Sequence, residues 1–189
     1  MPSAPGSLIV REAGLVRPEG DDTGSRLWSL WDQIRVLLAT YGQPDDLPVV
    51  VEFPAARAIP ASAGSFQRSV LTLPTYGCAV GVAYIASATH TNNLAVMTPA
   101  ADEWPWKGVP STKNDPHKEG RVRYAASLFG LSPTSMGAKS VAGNVADAML
   151  MGSWAMCDGG FPNCLAIDPS IRCTGWAYLE RRDDGAQAG

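Results

Sequence analysis

An α/β fold is predicted by three features of the chain. Two continuous apolar runs of strand length, Leu47–Phe53 and Cys164–Asp168, have the character of strands buried on both faces of a parallel sheet. A stripe of Leu27, Leu30, Trp31, Ile34, Leu37 and Leu38 repeats with helical period. Strand-like and helix-like segments then alternate along the chain, which is the signature of the class. A length of 189 residues predicts one domain spanning 1–189, with enough chain to bury a core.

Taken in order, Ser7–Val16 reads as a short strand. Asp21, Asp22 and Thr23 precede the first helix, with Thr23 as its candidate cap. That helix is predicted to run to Thr40 and to end at Tyr41-Gly42-Gln43-Pro44. Leu47–Phe53 follows as a strand whose only charge, Glu52, lies near its C-terminal end. Ala63–Ala88 reads as a helix or two, broken near Pro74. Leu94–Thr98 is a short strand ended by Pro99, and Ala101–Pro116 is loop-like. His117–Phe129 and Val141–Met156 read as helices. Cys164–Asp168 and Gly175–Glu180 are the last two strands, followed by a polar tail.

Composition narrows the function classes. Hydrophobic residues make up 46% and charged residues 17%, which excludes a disordered chain. A formal charge of -3 excludes a wholly basic nucleic-acid coat, though not a local basic groove around an acidic centre. Cys78, Cys157, Cys164 and Cys173 form no C-x-x-C pair, and His90 and His117 do not complete a zinc site with them. They are expected to be reduced core residues in a cytoplasmic protein. The start Met1–Gly6 has no signal-peptide character. The apolar stretch Val70–Ala88 is interrupted by Pro74, Tyr76 and Gly77, so a buried helix is expected there rather than a membrane span.

Two carboxylates sit where an apolar strand should carry none: Glu52 and Asp168. Burying a lone carboxylate costs several kcal/mol unless it is paired or bound to a cation. Both lie at strand C-terminal ends, where open α/β sheets place their sites. A third acid, Asp147, lies on the apolar helix Val141–Met156. Such oxygens suit hard divalent cations, and two of them would clamp a phosphodiester undergoing displacement. The plainer readings are an ion pair with an Arg or a loop cap for Glu52, a turn for Asp168 before its Pro, and a solvated helix position for Asp147.

Four segments together resemble one family. Ile167-Asp168-Pro169-Ser170 followed by Thr174-Gly175-Trp176-Ala177 is similar to the first-strand signature of RuvC-type Holliday-junction resolvases. Val50-Val51-Glu52 resembles their second catalytic strand, and Pro99 with Trp106-Lys107-Gly108 and Lys118 their Pro…Trp-Lys segment. Asn144-Val145-Ala146-Asp147-Ala148 resembles their closing helix. The order differs from the family's, because the Asp-Pro strand comes near the end of this chain. Joining Gly189 to Met1 in thought restores the usual order and makes Gly175–Glu180 and Leu8–Val16 a hairpin. The link 157–163, with Gly159, Gly160 and Pro162, then joins the closing helix to the Asp168 strand. The resemblance thus implies a circularly permuted RNase H-like domain: a mixed five-stranded sheet flanked by helices, with the first catalytic strand near the C-terminus.

The resemblance further implies a homodimeric endonuclease that cuts branched DNA with two Mg²⁺ ions, for which Mn²⁺ substitutes. Asp168, Glu52, Asp147 and Asn144 are its expected metal ligands. Asn144 stands where the family often carries Asp and offers only a neutral oxygen, with Asp158 a distant substitute. Lys118 is expected near the scissile phosphate. Arg57, Phe66, Arg68, Lys107, Lys113, Lys118 and Arg121 are expected DNA contacts, Arg123 adding to the basic stretch, against the plainer reading of a solvated helix face. Phe53 and Phe66 are read first as core residues and second as wedges against bases. Trp28, Trp31, Trp154 and Trp176 are read as core or dimer-interface residues. Competing readings are a nuclease for RNA–DNA hybrids or flaps, a junction-binding protein that does not cut, and an actin-like ATPase, for which the chain is too short.

Overall fold

The computed structural model describes residues 8–41, 47–53, 63–90, 96–98 and 118–182; in 63–73 only the backbone is described. The elements are β1 (Leu8–Val16), α1 (Thr23–Tyr41), β2 (Val49–Val51), α2 (Ala63–His90), β3 (Val96–Met97), α3 (Glu119–Phe129), a 3₁₀ turn (Pro133–Met136), α4 (Lys139–Gly159), β4 (Asn163–Asp168) and β5 (Thr174–Arg181). The strands form one mixed sheet in the order β1-β5-β4-β2-β3. β5 pairs antiparallel with both β1 and β4, while β2 pairs parallel with both β4 and β3. The α/β class read from the sequence is the class observed.

The side-chain alternation of the central strands sorts the core into two layers. Val50, Cys164, Ala166, Ala177 and Leu179 pack with α3 and α4. Val49, Val51, Leu165, Ile167, Trp176 and Tyr178 pack with α1 and α2. β2 and β4 are buried on both faces, which is why their sequences are continuous apolar runs rather than alternating ones. On α1, Leu30, Ile34 and Leu38 are fully buried, and Leu27, Trp31 and Leu37 flank them.

Close packing of α4 on the sheet depends on missing side chains. A Cβ on Gly152 would lie 2.6 Å from Leu179 and 3.0 Å from the Cβ of Ala166. α4 itself runs through Gly159 and is stopped by Gly160 in the left-handed region, φ 69°, with its N–H donating to Met156 O. The link to β4 is therefore shorter than the sequence suggests. It is tied down by Arg181, which donates to the carbonyls of Phe161 and Met156.

Several expectations need correction. Asp22, not Thr23, caps α1: its Oδ1 accepts from Ser25 N at 2.9 Å, and Ser25 Oγ accepts from Asp22 N at 3.3 Å. α2 does not break at Pro74, which points to solvent and removes a single backbone donor. α3 begins at Glu119 because Lys118 is left-handed and cannot continue a helix. β1 contains a bulge between Val10 and Glu12, so Leu8 and Val10 share a face with Ala13 and Leu15. All four cysteines are free, but only Cys164 is fully buried and Cys78 is exposed. Trp28 is 68% exposed, so it is no core residue. Phe53 is also outside the core, standing edge-on to Tyr84. Among the described residues no helix is long and apolar enough to cross a membrane.

Candidate functional site

The parallel pairing of β2 with β4 sets Val50 opposite Ala166 and Val51 opposite Ile167. Glu52 N donates to Ile167 O at 3.1 Å and extends that pairing by one step. Val50 and Ala166 face α4. Two residues on, Glu52 and Asp168 come to the same face, side by side at the C-terminal ends of their strands. Both are buried, as is Asp147 on α4. The three acids singled out in the sequence thus meet in one place.

Burial pushes the Asp168 carboxyl well above the ordinary carboxylate range. The neighbouring Glu52 charge adds to this, with Lys118 opposing and Asp147 reinforcing it. Tyr76 from α2 donates its hydroxyl to Glu52 Oε2 at 3.3 Å. Burial, and then the charges of Glu52 and Asp168, keep that phenol protonated. Tyr76 is a site residue the sequence did not single out, since nothing in the α2 sequence tells which side chain reaches over the strand ends.

Asp147 is differently engaged. Its carboxylate, 2% exposed, accepts from Lys118 Nζ and, at 3.0 and 3.1 Å, from Arg121. Burial disfavours the Lys118 ammonium, but the Asp147 and Asp168 charges outweigh it and hold its pKa above the usual value. Lys118 is the only non-glycine residue with positive φ among the described residues, at φ 54°, ψ 34°. For an L-residue this conformation costs about 1–2 kcal/mol. Its stem lies against Gly143, where a Cβ would sit 2.9–3.2 Å from the Lys118 Cβ, Cγ and Cδ. Lys118, expected near a scissile phosphate, is held here in an ion pair with Asp147.

Asn144 lies one turn from Asp147 on α4, but its amide nitrogen donates to Cys173 O at 2.8 Å. That bond ties α4 to the 169–173 loop. The loop is closed from within by Thr174, whose hydroxyl donates to Ser170 O at 2.8 Å and accepts from Ser170 N at 2.9 Å. Burial pushes the Cys173 thiol up, and Arg17 opposes it.

Asp158 lies exposed in the last turn of α4, eleven residues from Asp147 and so about 16 Å along the helix. It is too remote to serve this site. Arg57, Lys107 and Lys113 lie outside the described residues, as do the side chains of Phe66 and Arg68. Arg123 pairs with Glu119 at 3.7 Å, and Lys139 pairs with the same carboxylate at 2.5 Å.

The fit to a divalent cation divides the site in two. Glu52 and Asp168 present hard oxygen donors whose charges repel, an arrangement a small divalent cation relieves. Asp147 already has two cationic partners, and Asn144 donates its amide nitrogen to a backbone carbonyl. Among the described residues, no group of three or more His, Cys, Asp or Glu is disposed to hold a metal. Comparison with protein-family models, with characterised proteins and with solved structures finds no match to this chain.

Proposed function

We propose that the chain is a Mg²⁺-dependent, structure-selective endodeoxyribonuclease that acts on four-way or other branched DNA. The observation that carries this reading is the meeting of Glu52 and Asp168 at the ends of two parallel strands, with Asp147 beside them. The sheet supports it as well. Read from β4 onward, the chain begins with a central strand and continues into an antiparallel pair on one side, β5 then β1. It then adds β2 and β3 in parallel on the other. This is the arrangement expected of an RNase H-like domain, permuted. The pairing of Leu8 with Arg181 brings the two strands of the implied hairpin together where the permuted order requires it.

Glu52 and Asp168 would hold the cation. Mg²⁺ bound there supplies a polarised water and neutralises charge on the phosphodiester. The chain's own residues do the rest. Tyr76 fixes the orientation of Glu52 through its hydroxyl. Asn144 holds the 169–173 loop, and with it the end of β4, against α4. Lys118 and Arg121, each about a third open to solvent, supply positive charge at the rim for a phosphate backbone. A homodimer and cytoplasmic location belong to the same reading.

The test is cleavage of a labelled immobile four-way junction in Mg²⁺, Mn²⁺ or EDTA, with D168N as control. Paired symmetric nicks that vanish in EDTA and in D168N are expected. Tight binding without cutting in Mn²⁺ would instead identify a junction-binding protein. Preference for flaps or RNA–DNA hybrids would keep the chemistry and change the substrate.

A further inference from the structure

We infer that Lys118 and Arg121 set the number of divalent cations the site takes at one, by supplying at Asp147 the positive charge a second cation would bring. The inference rests on the nuclease reading and departs from the two-ion arrangement which the family resemblance implies.

Three independent features build this pair of cations into the fold. The Asp147 carboxylate is buried, and both of its oxygens are engaged: Arg121 reaches both, and Lys118 shares the second. Lys118 is held left-handed, a conformation that places its stem across α4 rather than along α3. Gly143 supplies the clearance for that stem. A divalent cation approaching Asp147 must displace two charged donors that carry a summed charge equal to its own. Asn144, the neutral member of the site, adds no charge to favour the exchange, and its amide is held by Cys173 O. Glu52 and Asp168 are in the opposite condition. Two buried carboxylates stand side by side there, and the hydroxyl that Tyr76 donates to Glu52 brings no charge.

The experiment is Mn²⁺ titration of the full chain, followed by the electron paramagnetic resonance of free Mn²⁺ and by calorimetry. Wild type is expected to bind one Mn²⁺ per chain, with any second ion at least tenfold weaker. R121Q is expected to tighten the second ion by tenfold or more, and the double variant R121Q/D147N to lose that gain. G143A, which crowds the Lys118 stem from a separate position, is expected to shift the second ion in the same direction. Two equally tight ions in wild type would overturn the inference. So would an unchanged second ion in folded R121Q and G143A. In either case, a first ion lost in D168N leaves the nuclease reading standing. Wild type that binds no Mn²⁺ at all would overturn both.

Discussion

The α-carbon of Gly175 rests against the backbone of Asn144: a Cβ there would lie 2.1 Å from the Asn144 carbonyl oxygen and 2.8 Å from Val145 N. The obstacle is helix backbone, so no rotamer change can clear it. β5 and α4 must separate to admit even a methyl group. Gly175→Ala is expected to destabilise the protein by about 1–3 kcal/mol or more, the usual cost of overpacking a core. It is also expected to weaken cation binding, because Gly175 pairs with Asp168. Urea denaturation and Mn²⁺ titration of the same variant check both. A variant as stable as wild type would mean that α4 is not seated as described.

Asp168 gives the folding equilibrium a defined pH dependence in the absence of divalent cations. Burial and the Glu52 charge raise its pKa above the unfolded value. The folded state therefore binds more protons than the unfolded one between those two values, and stability falls as pH rises through that window. Asp168→Asn removes the ionisation and its cost. In EDTA at neutral pH, D168N is expected to melt several degrees above wild type. The difference should vanish below the ordinary carboxylate range, where both chains are neutral at this position. Calorimetric scans at acid and neutral pH decide it, and a D168N protein less stable than wild type at neutral pH would contradict the assignment.

The strands that carry Glu52 and Asp168 were legible because burial on both faces leaves a continuous apolar run in which one acid is conspicuous. Asp147 was legible for the same reason on α4. What each acid faces was not. The partners of Asp147 come from residues 26 and 29 positions earlier, and Tyr76 reaches Glu52 across 24 positions, so only the tertiary fold pairs them. The left-handed Lys118 had no local cue, since that conformation is normally marked by Gly or Asn. The β1 bulge did leave a trace: apolar positions 8 and 10 are followed by 13 and 15, a change of parity that strict alternation does not allow and one extra residue supplies. The cap of α1 was misplaced by one residue because Asp21, Asp22 and Thr23 are all competent caps, and the choice fell to the reciprocal bond with Ser25.

Asp147→Asn removes the charge that Lys118 and Arg121 share while leaving the side-chain shape. Breaking a fully buried pair costs about 3–5 kcal/mol, but solvent reaches the cationic ends here, so the expected loss is about 1–3 kcal/mol. High salt should shrink the difference only slightly, because the carboxylate itself is buried. Urea midpoints of D147N and wild type at low and high ionic strength measure it. A loss that disappears in salt would place the pair at the surface.

Tyr76→Phe deletes the hydroxyl that donates to Glu52 and nothing else. A single bond to a charged acceptor contributes about 1.5–3 kcal/mol, at the lower end here because the contact is 3.3 Å and only partly buried. Its larger expected effect is on Glu52, which loses its fixed orientation toward Asp168. Mn²⁺ affinity at the first site is expected to fall several-fold in Y76F. Unchanged affinity would show that Tyr76 packs beside the site without positioning it.

Cation binding should be visible in folding without any DNA present. An ion that binds the folded chain alone stabilises it by RT ln(1 + [L]/Kd), or about 2.7 kcal/mol at a hundredfold excess over Kd. For a chain of this length, each kcal/mol corresponds to a shift in melting temperature of about 2–4 °C. Mg²⁺ or Mn²⁺ is therefore expected to raise the melting temperature of wild type by roughly 5–10 °C at that excess. D168N and E52Q should lose the response, since each removes one of the two donors that meet at the strand ends. R121Q should keep it, because Arg121 touches Asp147 and not that pair. The shift separates a built cation site from diffuse charge neutralisation on an acidic protein. A rise shared equally by wild type, D168N and E52Q would assign the effect to general screening and remove the support that Glu52 and Asp168 give to a metal-dependent reaction.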